Sequence, residues 1–404
     1  MATNVRKVKI LSSLDNEIFK SSLAEIEALG FTISEHPTQG SSPYGVISGR
    51  SNQRWWLIPL TNHHVATTGM ALFQPVLTSA KLLKSIYVMA SSLGLSNILF
   101  REKIYISQKT MFEDVFEIEN LNYAFFTGTD SPHRKTAIQV MDQAGSIKGF
   151  AKVAQNSNVK PLLTHEAETL QYLKSLNLQS VKIPDVLYVG DTGNTRVIVT
   201  DTLKTAKSKT HTTFTDQHKT FLTELMEKTG NGITLAKSEF LQNLQKNIKG
   251  LSSSLPVAWG NRLAAAYQLI SNHASSIISE MTLSHGDFTP WNTYMTGKKL
   301  YVFDWEYAQH GYPPGYDLIH FLLSLPTVKR QPIKKIIDKV RHLLKEMKIA
   351  GNDVDVDVLL LCYLCAHGLQ YSAREIEENN TVSTWDGEQE TAVYLDAILE
   401  VRFK

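Results

Sequence analysis

His285-Gly286-Asp287-Phe288-Thr289-Pro290-Trp291-Asn292 is the stretch whose reading decides the fold. It sets a carboxylate and, five residues later, a carboxamide on one loop. Phosphoryl transfer asks little covalent help of a protein: a carboxylate beside the attacking hydroxyl, oxygen ligands for Mg²⁺, and a cation holding the nucleotide in line. Asp287 suits the first role, since it can orient a hydroxyl and take its proton as the loose transition state decays. Asn292 offers a neutral oxygen of the kind a hard cation prefers. A hairpin is expected next, Asn292–Met295 and Leu300–Phe303, turning at Thr296-Gly297-Lys298. Asp304 ends its second strand, and hairpin geometry can return that carboxylate beside Asn292. Each residue alone reads as a cap or turn former; the combination points to one chemistry.

The combination resembles the aminoglycoside phosphotransferase and choline kinase family. His-Gly-Asp with Asn292 five residues on, Phe303-Asp304-Trp305-Glu306 after the hairpin, and Pro313-Pro314-Gly315-Tyr316-Asp317-Leu318 beyond it carry the resemblance, which covers residues 120 to 400 or so. It implies ATP and Mg²⁺ as cofactors, Asp287 as the catalytic base, and Asn292 and Asp304 as magnesium ligands. His285 would support the loop, and Asp317 would tether the catalytic region to the next helix. The resemblance also calls for a lysine on a third strand and a glutamate on the helix after it. Lys152, in Gly149-Phe150-Ala151-Lys152-Val153-Ala154, fits the lysine. Glu166 fits the glutamate, with Glu168 as the alternative on a different helix face. Their ion pair would hold Lys152 against the α- and β-phosphates. Thr127-Gly128-Thr129-Asp130-Ser131 would cover the phosphates, with one glycine in place of the Gly-x-Gly-x-x-Gly of protein kinases. The adenine would meet backbone around Thr200-Asp201-Thr202-Leu203, so Thr200 and Thr202 join the nucleotide-binding candidates.

Periodicity around these motifs predicts an α+β, bilobal fold, which the resemblance implies is protein-kinase-like. A small antiparallel β lobe with one helix occupies residues 113–203, and a large, mostly helical lobe occupies 204–404. Tyr123–Phe126, Thr136–Met141 and Ile147–Val153 read as three strands. A helix follows over Thr164–Leu176 with Thr164 as its N-cap, then strands Val186–Val189 and Arg196–Thr200. The helical lobe shows Thr215–Lys228 and one long amphipathic helix over Asn261–Met281. Residues 1–112 form an extra mixed α/β segment, either a separate binding domain or part of the small lobe. In it Arg54–Leu60 reads as a strand, Ser79–Leu93 as a helix and Gly40–Gly45 as a loop.

The 404 residues carry 41 Lys and Arg against 39 Asp and Glu, a balance that argues against a nucleic-acid-coating or polybasic membrane role. Two cysteines make no disulfide framework. The N-terminus lacks a signal-peptide core, and the apolar run Val358–Ala366 is short for a bilayer, so the cytoplasm is the expected compartment. Cys362-x-x-Cys365-Ala366-His367 lies in an apolar helical run and reads as buried cysteines rather than a metal site. His63-His64 is placed on a loop with its rings pointing apart. Trp55 and Trp56, on alternate faces of a strand, are expected to send one ring inward and one outward. Trp291, within the loop, is expected near the acceptor, while Lys204, Lys207 and Lys209 read as solvated.

These readings predict a small-molecule kinase acting on a hydroxyl acceptor, a sugar or amino alcohol, with surface-polysaccharide metabolism as a setting. The alternatives are an aminoglycoside or choline kinase proper, or a nucleotide-binding pseudokinase scaffold. A polycationic aminoglycoside would want an acidic cleft, for which Glu306, Asp386, Glu388 and Glu390 are the candidates.

Overall fold

The computed structural model describes residues 13–49, 53–75, 78–108, 110–129, 131, 133–379 and 388–402. The chain divides into two compact units, residues 1–167 with 184–207 and residues 168–183 with 208–404.

The first unit is built on α1 (Glu17–Glu27), β1 (Phe31–Ser34), β2 (Ser42–Gly49), β3 (Arg54–Pro59), α2 (His63–Gly69), α3 (Thr78–Ser92), α4 (Ser96–Leu99), β4 (Lys103–Gln108), α5 (Phe112–Phe116), β5 (Asn122–Phe126), β6 (Thr136–Met141) and β7 (Ile147–Ala154). Helix α6 (Lys160–Ser175) follows; β8 (Val181–Lys182) falls in the second unit, and β9 (Val186–Thr192) and β10 (Thr195–Asp201) return to the first. All its strands join one sheet in the order β1-β4-β2-β3-β5-β6-β7-β10-β9. The expected division at residue 112 is crossed by hydrogen bonding, since β3 pairs with β5 at Trp56↔Phe126 and Leu57↔Phe125. One core therefore contains Phe19, Leu23, Ile26 and Trp55 from the early segment with Phe125, Ile138, Val153 and Val199 from the later strands.

Several local expectations change. Trp55 and Trp56 do face opposite ways, yet both are buried, because this sheet is covered on both faces. Trp55 packs on Phe19 at 5.0 Å, and Trp56 stacks on Phe126 at 5.0 Å. Residues 42–45 of the expected loop belong to β2, where Gly45 admits the Phe100 ring: a Cβ there would stand 2.2 Å from it. His63 and His64 open helix α2, and their rings lie 3.9 Å apart rather than diverging. Helix α6 starts one turn before Thr164, whose hydroxyl donates to the Lys160 carbonyl at 3.3 Å. Pro161 is the missed signal, since proline suits a first helical turn. Helix α3 turns Leu82, Ile86 and Met89 outward and packs Ala80, Tyr87 and Val88 inward.

The second unit holds α7 (Asp216–Thr229), α8 (Glu239–Leu251), α9 (Val257–His273), β11 (Thr282–Ser284), β12 (Thr293–Thr296), β13 (Lys299–Val302), β14 (Gln309–Tyr312), α10 (Tyr316–Ser324), α11 (Pro326–Lys329), α12 (Ile333–Glu346), α13 (Asp353–Asn379) and α14 (Glu388–Arg402). The long helix expected to reach Met281 stops at His273; a 3₁₀ turn at Ala274–Ser276 and strand β11 take the chain on. Ile277 and Met281 are buried all the same, which is why they fell into register with the helix pattern. The hairpin β12–β13 forms with Thr296↔Lys299 closing it and Gly297 at φ 61° in the turn. Helix α13 is long and apolar enough over Asp353–Ile376 to cross a membrane, in contrast to the shorter run read from the sequence, and 72% of that window is buried inside the protein. It is a core helix, in contact with α8, α9, α10, α12 and α14, and Cys362 and Cys365 are buried in it.

Candidate active site

In the first unit, Lys152 on β7 donates to both oxygens of Glu166 on α6 at 2.7 and 2.5 Å. The alternative is thereby resolved for Glu166; Glu168 is exposed. The Glu166 side chain is 4% exposed and that of Lys152 18%, so this pair sits well below the surface. The loop after β5 is anchored by Thr127, whose amide donates to the Trp55 carbonyl at 3.0 Å while its hydroxyl accepts the Trp55 amide at 2.9 Å. That hydroxyl is buried, and its oxygen faces the sheet. Gly128 has φ 77°, and a Cβ there would lie 2.5 Å from the Lys135 carbonyl. Thr129 is exposed, and Asp130 lies outside the described residues. Thr200 pairs opposite Phe150 and Val186, and the Thr202 hydroxyl accepts the Lys204 amide at 3.0 Å. Lys204 is buried rather than solvated. Its ammonium lies 5.3 Å from the Phe150 ring centre, and burial, with Lys84 nearby, pushes its pKa down to about 8.

In the second unit the loop from His285 to Asn292 is tied down by the helix that follows the hairpin. Asp317, at the start of α10, accepts the His285 amide at 2.7 Å, the Gly286 amide at 3.1 Å and the Ser284 hydroxyl at 2.8 Å. His285 is buried, with Nε2 3.0 Å from the Phe303 carbonyl and its ring 4.3 Å from that of Trp305. The Asp287 amide donates to His285 Nδ1 at 3.3 Å, so Nε2 carries the ring proton. Gly286 has φ 80°, and a Cβ would meet the Tyr307 carbonyl at 2.1 Å; no other residue fits there.

Asp287 then has both carboxylate oxygens held. Asn292 Nδ2 donates to Oδ2 at 2.9 Å and to the Asp287 carbonyl at 3.0 Å, while His320 Nε2 stands 3.1 Å from Oδ1. Both contacts of the Asn292 amide are to acceptors, so its nitrogen faces Asp287 and its Oδ1 points elsewhere. The Phe303 amide donates to the Asn292 carbonyl at 3.3 Å, setting Asp304 next to Asn292 across the hairpin. Asp304 has φ 71°, a conformation that costs about 1–2 kcal/mol in most residues and is eased for Asp by its short polar side chain. Its carboxylate comes within 4.8 Å of that of Glu306, which is buried. Two carboxylates so close repel one another unless a proton or a cation intervenes.

A cavity of about 1110 Å³ opens beside this loop, with Gly286 in its wall. Phe240, Tyr307 and Tyr312 supply aromatic surface, and Asn243, Asn247 and Gln370 supply amides. Lys237 and Glu239 are the charged residues among those lining it, and they cancel. Of the acids weighed for an acceptor site, Glu306 is beside Asp304, and Glu390 pairs with Lys329 at 2.9 Å. Asp386 and the Glu388 side chain lie outside the described residues. Trp291 is 46% exposed.

Residues 235–335 match the model of the phosphotransferase enzyme family. The matched segment contains Asp287, Asn292, Asp304, Asp317 and His320. Among solved structures, a fructosamine-3-kinase so described from Haemophilus somnus 129PT is similar, at 14% identity over 72% of this chain and 95% of its own, with a TM-score of 0.49. The aminoglycoside phosphotransferase APH(4)-Ia matches at 13% identity over 72% and 96%, TM-score 0.48. The gentamicin complex of APH(2'')-IIa matches at 18% over 72% and 93%, TM-score 0.43. No curated protein matches the chain.

Two parts of the candidate site escape a reading of the sequence. His320 lies in Tyr316-Asp317-Leu318-Ile319-His320-Phe321, where a polar residue one turn beyond Asp317 in an apolar run was the available signal. Helix α8, with Phe240, Asn243 and Asn247 on the cavity, carries no motif at all.

Proposed function

We propose that this chain is a cytoplasmic, ATP- and Mg²⁺-dependent phosphotransferase that moves the γ-phosphate to a hydroxyl of a small, uncharged, sugar-like acceptor. The observation that carries the reading is Asp287, held at both carboxylate oxygens on a loop whose Gly286 lines an electrically balanced cavity. Asp287 orients the acceptor hydroxyl and takes its proton as the phosphoryl group is transferred. Asp304, with the Glu306 carboxylate within 4.8 Å, and Asn292 Oδ1 from the start of the hairpin would supply the oxygen donors that Mg²⁺ prefers. The ion would neutralise phosphate charge. Lys152, fixed by Glu166, is assigned to the α- and β-phosphates, the Gly128 and Thr129 backbone to the phosphate-covering loop, and the Thr200–Thr202 backbone to the adenine.

The cavity favours neutral polyols over polycations. Aromatic faces and amides suit the C–H faces and hydroxyls of a sugar, whereas an aminoglycoside would want several carboxylates there. Acceptors of this kind are handled in surface-polysaccharide metabolism, which is the setting we assign. The test is a panel of neutral sugars, amino sugars, aminoglycosides and choline, read by ADP release from Mg-ATP. Turnover concentrated on neutral sugars supports the assignment; turnover on aminoglycosides or choline alone overturns the acceptor class.

A further inference from the structure

Asn292 accounts for one oxygen of Asp287, and the other is met from a different element. His320 lies on α10, one turn after the Asp317 that anchors the loop backbone, and its Nε2 is 3.1 Å from Asp287 Oδ1. Its Nδ1 is 3.0 Å from the hydroxyl of Tyr363 on α13. Both side chains are buried. An ionised carboxylate only accepts hydrogen bonds, so the His320 proton facing Asp287 must sit on Nε2. Burial first, with Tyr371 and Asp287 among the charges that add to it, pushes the Tyr363 phenol well above its ordinary range. That hydroxyl keeps its proton and can donate it to Nδ1. His367, also on α13, has its ring 5.6 Å from that of His320, and burial pushes its pKa down to about 3, so it brings no charge.

We propose that His320 is a positioning residue for phosphoryl transfer, fixing the Asp287 carboxylate through Nε2–H while Tyr363 selects the tautomer that makes this possible. The inference rests on Asp287 being the base. With one tether, a carboxylate swings about its Cβ–Cγ bond; with a donor on each oxygen its plane is set. The lone pair aimed at the acceptor hydroxyl then stays in line. The proton that leaves the acceptor ends on Asp287. His320 already carries a proton on the nitrogen facing Asp287 and takes none, so it acts through Asp287 and not on the substrate.

Two readouts test this. Nitrogen-15 NMR of the histidine side chains should show His320 as the neutral Nε2–H tautomer, and Tyr363→Phe, which keeps the ring, should weaken that preference. In Mg-ATP turnover with the best panel acceptor, or with water if only hydrolysis is seen, His320→Ala should lower kcat about 10²-fold, the cost of a small misplacement of a reacting group. KM for ATP should stay unchanged. His320→Gln, whose amide N–H reaches the place of Nε2–H, should recover much of the loss. An Nδ1–H tautomer in the wild type overturns the proposal. So does full kcat in His320→Ala, or a folded His320→Gln no better than the alanine variant. Absence of any wild-type turnover would sink the kinase reading, while the tautomer would still decide the contact.

Discussion

At the scale of single residues, the loop from His285 to Asn292 is specified by what each backbone position has room for. Gly286 combines φ 80° with a Tyr307 carbonyl 2.1 Å from any added Cβ. Gly286→Ala is predicted to cost more than the roughly 1–2 kcal/mol of a left-handed backbone alone, read as a lowered midpoint in urea unfolding with activity lost in parallel. His218 sits behind the same loop, its ring 4.5 Å from Phe321 and 6.0 Å from Phe288. Burial, with His211 adding to it, pushes its pKa down to about 3. Between that value and its ordinary 6.5 the unfolded chain binds a proton that the folded one does not, so stability falls as pH drops through this window. His218→Gln should lose less stability than wild type between the two, in urea titrations at stepped pH; equal losses would contradict the assignment. Asp287, Asn292 and Asp304 were legible because their chemistry lies in one short stretch of sequence. His320 was not, because its partner Asp287 is 33 residues away and only packing of α10 brings them together.

At the scale of elements, β7 and α6 hold their ion pair by matched position. Lys152 pairs opposite Ala137 and Ile198 on the sheet, and α6 presents Glu166 to it. Lys152→Ala leaves a nearly buried carboxylate without its cation, a change that costs about 3–5 kcal/mol for buried pairs, here toward the lower end because Lys152 keeps some exposure. Thermal unfolding should show the loss, and titration with ATP should show weakened binding. Unchanged ATP affinity in a folded variant would remove Lys152 from the nucleotide site. The five strands β5, β6, β7, β9 and β10 and the hairpin β12–β13 were readable from alternation and turn signals. Helix ends were not: α6 begins earlier than Thr164 and α9 stops before Met281, since buried side chains keep a periodic spacing even where the backbone has left the helix.

At the scale of the whole molecule, residues 13–112 complete the first unit's sheet and core. Arg134, beside Gly128 in the loop after β5, donates to the Ile18 carbonyl at 3.2 Å and to Ser21 and Ser22, and the Thr136 hydroxyl donates to Glu25 at 2.7 Å. Removing residues 1–112 would strip Phe19, Leu23 and Trp55 from over Phe125 and Ile138 and leave β5 as an open edge. The truncated chain is predicted to be insoluble or unfolded by circular dichroism; a folded, ATP-binding truncation would make the early segment a separate domain. The two-faced burial behind this was invisible in the sequence, where Trp55-Trp56 reads as one ring in and one out. Asp287 is the group proposed to take the acceptor's proton during phosphoryl transfer. Transfer of label from [γ-³²P]ATP to a neutral sugar, compared between wild type and Asp287→Asn, tests it most directly. The account predicts labelled sugar phosphate from wild type and a loss of about 10²–10⁴-fold in the variant, the range for removing a positioned base; equal labelling by both proteins would contradict it.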